Sequence, residues 1–449
     1  MELLVVVPGI QGSRLELKGK RVWPPTVKEA IFGYDRIDQL IDDDLVATEL
    51  IDAVGPLSFY ESLEADVRNC GFREGDADKP LLLFPYDWRR SNADTAGKLA
   101  LAIDKAWDDA SERITDITFL AHSMGGLVTR FLIESGRFSD RPWFSRIRRL
   151  ITLGTPHLGA PKALWTLEGN ERQSGLSPRD IRKLADMDAY PSLYELVGPD
   201  AAPFTWDQPS RGKLPPTLSA FDETIADRLN LNPNNIAQAR AFWSALDISR
   251  KPDSVQYLAL VGTSLTTIVR NEWVGGTEGL LPIERKDGGD GTVPTASALI
   301  SSAAHVFSRK AHVRIFEDRR FRRFLYDALG APSDASPQSA DGHTELGDEQ
   351  AVALSLGEDS YAAGTPIQFV LTYETTQNEP FIQIAFYKCD EDTGIIDRHQ
   401  AVAEVSAGLT GVSVEEWSFT AIVDLPPGMY VAEPDEVSDD PAPSAFVIY

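Results

Sequence analysis

Apolar residues in the first 330 positions fall into short continuous runs separated by stretches of helical spacing. The runs at 3–7 (Leu3-Leu4-Val5-Val6-Val7), 81–84 and 117–121 lack polar alternation, the pattern of strands buried on both faces. Further strands are expected at 147–153 and 255–261. Between the strands, Phe59, Leu63 and Val67 repeat at helical spacing within 58–70, 96–107 reads the same way, and a helix is expected from Met124 to about Ser135. Buried strands alternating with helices predict an α/β fold with a mostly parallel sheet covered on both faces.

Two stretches break this rhythm. The segment 158–252 holds scattered prolines and helical patches at 225–231 and 236–246, and reads as a helical cap insertion over a site. Within it Phe242, Trp243 and Leu246 share one helical face, which is expected to cover the pocket at that site and gate it. The segment 23–57 is also irregular and includes, at 37–45, an apolar patch with four aspartates. Plain helical packing is the alternative for both.

Composition changes after Leu329. Positions 331–350 are rich in Pro, Ser, Ala, Asp and Gly, which suits a linker. Alternating strand patterns then recur at 351–356, 367–373, 381–387, 418–423, 429–432 and 446–449, separated by Gly, Pro and Asp. The organisation expected is a catalytic domain over 1–330, a linker over 331–350 and an all-β sandwich-like module over 351–449. The linker has almost no large apolar residue, so the module is expected to fold apart and to serve in targeting or in binding a protein partner.

Charge narrows the function classes. The net charge is −25, from 68 acidic against 43 basic residues. Nucleic acid is disfavoured as a partner, because phosphate binding needs a basic face. Two cysteines in 449 residues make no disulfide framework. The run at 3–7 is too short for a signal sequence and follows no basic segment, and no stretch reaches the length of a membrane span. A cytoplasmic location is expected on these grounds.

The strongest chemical signal is Ala121-His122-Ser123-Met124-Gly125-Gly126, set between a strand and a helix. A serine on a sharp strand–turn–helix needs small residues two positions before and after it, and Ala121 and Gly125 meet that need. The turn exposes the hydroxyl and aims a helix N-terminus at it, so the Met124 N–H is a candidate oxyanion donor. The side chain of His122 is expected to pack beside the strand in a structural role. At the end of the first strand, Val7-Pro8-Gly9-Ile10-Gln11-Gly12-Ser13 forms a glycine-lined loop that brings a second N–H, that of Ile10, beside the nucleophile. A serine nucleophile needs a base and an acid to orient it. The glycine-rich loop Asp287-Gly288-Gly289-Asp290-Gly291-Thr292-Val293-Pro294 presents a carboxylate, and alone it also reads as a surface turn or a calcium loop. Its position between the elbow and a downstream histidine favours the catalytic reading.

Several segments together resemble the lecithin:cholesterol acyltransferase family. They are residues 7–16, Phe84-Pro85-Tyr86-Asp87-Trp88-Arg89, the elbow, Leu153-Gly154-Thr155-Pro156-His157-Leu158-Gly159 and Gly289-Asp290-Gly291-Thr292-Val293, in the family's order across about residues 3–330. The resemblance implies an α/β-hydrolase fold, a lipid acyl ester as substrate, and an acyl-enzyme on Ser123 with oxyanion donors at Met124 and Ile10. The module beyond 350 lies outside it. In the stretch Tyr86-Asp87-Trp88-Arg89-Arg90, an internal ion pair and a packed indole are expected.

The expected chemistry is therefore that of a serine-dependent lipid esterase or acyltransferase, with Ser123 as nucleophile, His312 as base and Asp290 as the orienting acid. It calls for no metal or organic cofactor. The partner is a lipid or a lipid–water interface. A catalytically silent hydrolase-fold binding protein and a membrane-attacking lipase toxin are the competing readings. His305 and His312 both follow Asp290. A helix is expected over 297–306 and a last strand over 306–310, which leaves His305 before or at the start of that strand and His312 just past its end. Sites in open α/β sheets assemble at the carboxyl ends of the strands, which selects His312.

Overall fold

Six strands, all parallel, form the central sheet: β1 (Glu2–Val7), β2 (Leu81–Leu83), β3 (Asp116–His122), β4 (Ile147–Leu153), β5 (Gln256–Gly262) and β6 (Ala303–Ser308). The computed structural model describes all residues except 56, 111–112, 208–216, 276–278, 333–351, 359, 379, 391–394, 397 and 436–443. Across the sheet the order is β6-β5-β4-β3-β1-β2. The winding reverses beside β1, so the carboxyl ends of β1 and β3 flank a crevice where a site can form. Helices lie between the strands, among them Glu61–Asn69, Asn92–Asp109 and Met124–Glu134. The runs read as doubly buried are so: Leu3 to Val7 are at most 1 % exposed. This is an α/β-hydrolase architecture with a strand-rich C-terminal region.

The segment 158–252 is largely helical. Three of its prolines mark helix starts: Pro161, Pro178 and Pro233 each occupy the first turn of a helix, where the missing N–H costs nothing. The expected gating face is placed otherwise. Phe242 stacks on Phe131 of the helix Met124–Glu134 with ring centres 5.4 Å apart, and the Trp243 indole N–H donates to the Glu195 carbonyl at 2.9 Å. Phe242 and Trp243 thus face the core. Helical spacing shows that a face is buried, but not against which partner.

Near Asp290 and His312 the structure adds one element that was not expected and moves the bounds of two that were. A long antiparallel hairpin, Leu265–Gly275 with Gly279–Gly289, rises between β5 and the acid loop. It carries Arg270, Asn271, Glu272, Glu284, Arg285 and Lys286, and this polar content hid it from a reading based on apolar runs. The expected helix over 297–306 is only Thr295–Ala298, and the last strand begins earlier, at Ala303. His305 consequently lies inside β6, opposite Ala259, and its Nε2 accepts the Ile300 N–H at 3.3 Å. Pairing with the sheet edge has overridden the helix preference of the alanines.

The C-terminal strands form two sheets. One joins Val352–Leu356, Pro366–Asn378 and Ser413–Ile422; the other joins Ser360–Tyr361, Ser444–Ile448, Gly428–Asp435, Phe381–Lys388 and Ala403–Gly408. Phe369, Phe386 and Phe446 pack in the core between them. From residue 333 on, the expected linker lies outside the described residues. The module does not stand apart. Met429, Val447 and Cys389 bury Ala30 and Ile31, and Val370 packs on Leu265 and Ala311. Cys70 and Cys389 are both buried and free. Among the described residues, no helix is long and apolar enough to cross a membrane.

Candidate active site

Strand β3 ends at His122, and the helix Met124–Glu134 begins one residue after Ser123. Ser123 spans the turn at φ 52°, ψ −124°, a conformation that L-residues adopt only when their surroundings enforce it. Those surroundings are tight. A Cβ at Gly125 would stand 2.4 Å from the Pro8 carbonyl oxygen, and one at Gly126 would overlap Thr155. The Ser123 N–H donates to the Leu153 carbonyl at 2.8 Å, which ties the turn to β4.

The structure brings together the three side chains singled out in the sequence. His312 Nε2 is 2.9 Å from Ser123 Oγ, and His312 Nδ1 is 2.8 Å from Asp290 Oδ2. The other carboxylate oxygen of Asp290 accepts the N–H groups of Thr292 (3.0 Å) and Val293 (2.7 Å). The His312 N–H donates to the Asp290 carbonyl at 2.9 Å. Asp290 is therefore held on both its backbone and its side chain, and all three residues are buried. A carboxylate on Nδ1 fixes the tautomer in which Nε2 faces the serine as an acceptor.

Met124 opens its helix, so its N–H is among the first-turn donors with no partner inside the helix. Ile10 follows Pro8-Gly9 at the end of β1 and lines the same cavity as Ser123. Gly9 admits the loop to Ser123, since a Cβ there would sit 2.8 Å from the Ser123 Cβ. The Tyr86 hydroxyl donates to the Pro8 carbonyl at 2.9 Å and supports this loop from beneath.

The stretch after β2 plays the structural part read from it. Arg89 forms a buried two-point ion pair with Asp87 (2.7 and 2.8 Å) and lies over the Tyr190 ring. The Trp88 indole packs edge-on against Trp23 at 5.2 Å. This cluster joins the irregular segment 23–57 to the helical insertion.

A cavity of about 240 Å³ opens on Ser123. Its walls come from Ile10 and Ile51, from Ala163 and Leu196 of the insertion, and from Val447 and Tyr449 of the β module. The positive groups Lys162 and Arg172 also line it. Among the described residues no group of three His, Cys, Asp or Glu is arranged to hold a metal ion.

The roles of several site residues escaped the sequence reading. Tyr60, just before the helix Glu61–Asn69, reaches into the site through its hydroxyl. Gly154 and Gly262 are small of necessity: a Cβ at Gly154 would lie 3.0 Å from Asp290 Oδ2, and one at Gly262 would lie 2.3 Å from the Asp290 Cβ. Each follows or ends a strand beside Asp290, and that position was the available signal.

The parallel sheet, the elbow and the acid–histidine pair at the strand ends define the class: an α/β-hydrolase fold. Within that class, residues 42–231 match the family model of Lecithin:cholesterol acyltransferase. The resemblance read from the motifs holds over that stretch, and it supports lipid hydrolase or acyltransferase activity. No curated protein matches the chain. Among solved structures, the lin2722 product of Listeria innocua is 12% identical, with 73% of this chain and 92% of that one covered at a TM-score of 0.31. Phospholipase PlaB of Legionella pneumophila is 10% identical, with 100% and 90% covered at a TM-score of 0.29. Likenesses this distant carry no functional argument.

Proposed function

We propose that the protein is a serine-dependent lipid ester hydrolase or acyltransferase that works through an acyl-enzyme on Ser123. The observation that carries this reading is the continuous contact from Asp290 through His312 to Ser123, opening on a mainly apolar cavity. His312 Nε2 takes the proton of the Ser123 hydroxyl as Oγ adds to the acyl carbonyl carbon. The carbonyl π electrons move to oxygen, and that oxyanion receives the N–H groups of Met124 and Ile10. As the tetrahedral adduct collapses, the ester C–O bond breaks and the leaving alkoxide takes the proton from His312. Water or a second alcohol then gives its proton to His312 as its oxygen adds to the acyl-serine carbonyl carbon. When this second adduct collapses, the acyl C–Oγ bond breaks, Ser123 Oγ takes the proton back from His312, and the free acid or new ester leaves. Asp290 holds the imidazole in the required tautomer throughout.

Labelling by a fluorophosphonate probe, read by peptide mass spectrometry, tests the reading. Modification of Ser123, together with turnover of phospholipids or neutral acylglycerols by the full chain, supports it. Folded protein that is neither labelled nor active would return the chain to the binding-protein reading.

A further inference from the structure

Three separately folded pieces must agree in position for the chemistry above: the loop after β1, the elbow, and the loop that carries His312. A chain of hydrogen bonds joins all three. The Gly9 N–H donates to the Tyr60 hydroxyl at 2.7 Å, Tyr60 Oη lies 2.7 Å from His122 Nδ1, and His122 Nε2 lies 3.0 Å from the His312 carbonyl oxygen. The direction of each bond is forced. A carbonyl only accepts, so the His122 proton sits on Nε2. Nδ1 of the neutral ring is then an acceptor, and Tyr60 donates to it. An amide N–H only donates, so Tyr60 Oη accepts from Gly9. Each N–H and O–H in the chain has an acceptor, and each bond is buried.

The surroundings leave little slack. The Tyr60 ring stacks on Phe316 at 5.9 Å, and the His122 ring meets Phe316 edge-on at 5.6 Å. A Cβ at Gly12 would stand 2.8 Å from the Tyr60 ring, so the loop after β1 lies flat against it. Burial and the neighbouring His312 push the His122 imidazole down to about 3, which keeps the ring neutral at ordinary pH. The two ends of the chain have different tasks. One end fixes Gly9, next to the Ile10 N–H; the other fixes the backbone of the base.

We infer that Tyr60 and His122 are positioning residues, which act as one unit to set the oxyanion loop and His312 at their working distances from Ser123. The inference rests on the serine esterase reading. It adds a function for the elbow histidine and for a tyrosine that touches neither the base nor the nucleophile through a hydrogen bond. A shift of the order of an ångström between reacting groups costs about a hundredfold in rate, so modest loosening is measurable.

The test uses the full chain and a short soluble ester. Tyr60→Phe removes one oxygen and keeps the ring stack. Its kcat is expected to fall about tenfold to a hundredfold with KM within about twofold, and a boronic acid inhibitor, whose adduct needs the oxyanion donors, should weaken by a similar factor. His122→Met should show the same loss. His122→Gln, which keeps a donor toward His312 and an acceptor for Tyr60, should restore most of it. The double variant Tyr60→Phe/His122→Met should be no worse than the poorer single variant, because one chain is broken either way. Undiminished kcat in Tyr60→Phe, or losses that multiply in the double variant, would overturn the inference. If the wild-type protein is not labelled at Ser123, the esterase reading itself falls. A labelled wild type beside an undiminished Tyr60→Phe refutes the positioning role alone.

Discussion

The guanidinium of Arg172 lies 4.7 Å from the centre of the Tyr449 ring, and both residues line the catalytic cavity. One belongs to the helical insertion and the other to the β module, so the two meet as parts of one wall. Tyr449→Ala should leave kcat on a short ester within about twofold, because neither hydrogen bond of the Asp290–His312–Ser123 contact involves the ring. KM for long-chain esters that reach the wall should rise more than KM for short ones. Steady-state rates on a series of acyl lengths check this. An equal change at all lengths would remove Tyr449 from the acyl path.

Ser123→Ala should lower turnover by at least about a thousandfold and leave the melting temperature nearly unchanged. The Oγ that is lost bonds to His312, and the turn itself is held by backbone bonds and close glycines. Activity close to that of the wild type would point to another nucleophile.

His312→Ala should be nearly as inactive as Ser123→Ala, while His305→Ala should keep most of the activity. His305 is spent on an amide at the edge of the sheet. Parallel assays of the two variants decide between them, and the reverse order would move the base to β6.

Phe242→Ala should act on stability, not on gating. The ring is buried and stacked on Phe131, so its removal should cost about 3–5 kcal/mol in chemical denaturation. The ratio of rates on vesicles and on monomeric ester should stay as in the wild type. A changed ratio at unchanged stability would restore the gate.

Glu195 gives a pH signature. Its carboxylate accepts the Ser91 hydroxyl at 2.9 Å and the Asn92 N–H at 2.7 Å, yet burial pushes it up to about 8 from an ordinary value of 4.5. The folded form thus holds a proton that the unfolded chain releases, and stability should fall as pH rises from about 4.5 to about 8. His122 contributes with the opposite sign. Its folded value of about 3 lies below the ordinary 6.5, so its contribution is present above 6.5 and is lost as pH falls toward 3. Above 6.5 the Glu195 loss therefore stands apart from it. Melting temperatures of Glu195→Gln should be flatter across that window than those of the wild type. Parallel curves for the two proteins would show that Glu195 stays ionised.

Ser123 and Asp290 were legible because the constraints on them are largely local; His312 was reached by its place past the end of the last strand, which survives the earlier start of that strand at Ala303. An elbow needs small residues at fixed offsets, and an acid loop needs glycines. Tyr60 was not legible, because it is 62 positions from His122 and nothing around it marks where the two meet. Gly154 and Gly262 are small for the sake of Asp290, far along the chain. The buried strands could be read from their unbroken apolar runs. The hairpin before Asp290 could not, since its strands carry charge and lack such runs. The contact between module and catalytic domain was also hidden: Met429 and Val447 look like ordinary sandwich residues until Ala30 and Ile31 are laid against them.

The cavity wall supplied by Val447 and Tyr449 bears on the order in which the protein becomes competent during synthesis. Chains emerge from the ribosome N-terminus first, and domains fold in that order. Once residue 330 has emerged, Ser123, Asp290 and His312 are all present, while the pocket wall made by Val447 and Tyr449 has yet to be synthesised. Under the proposed chemistry, each nascent chain therefore carries its reacting groups before the pocket that would choose among acyl groups is walled in.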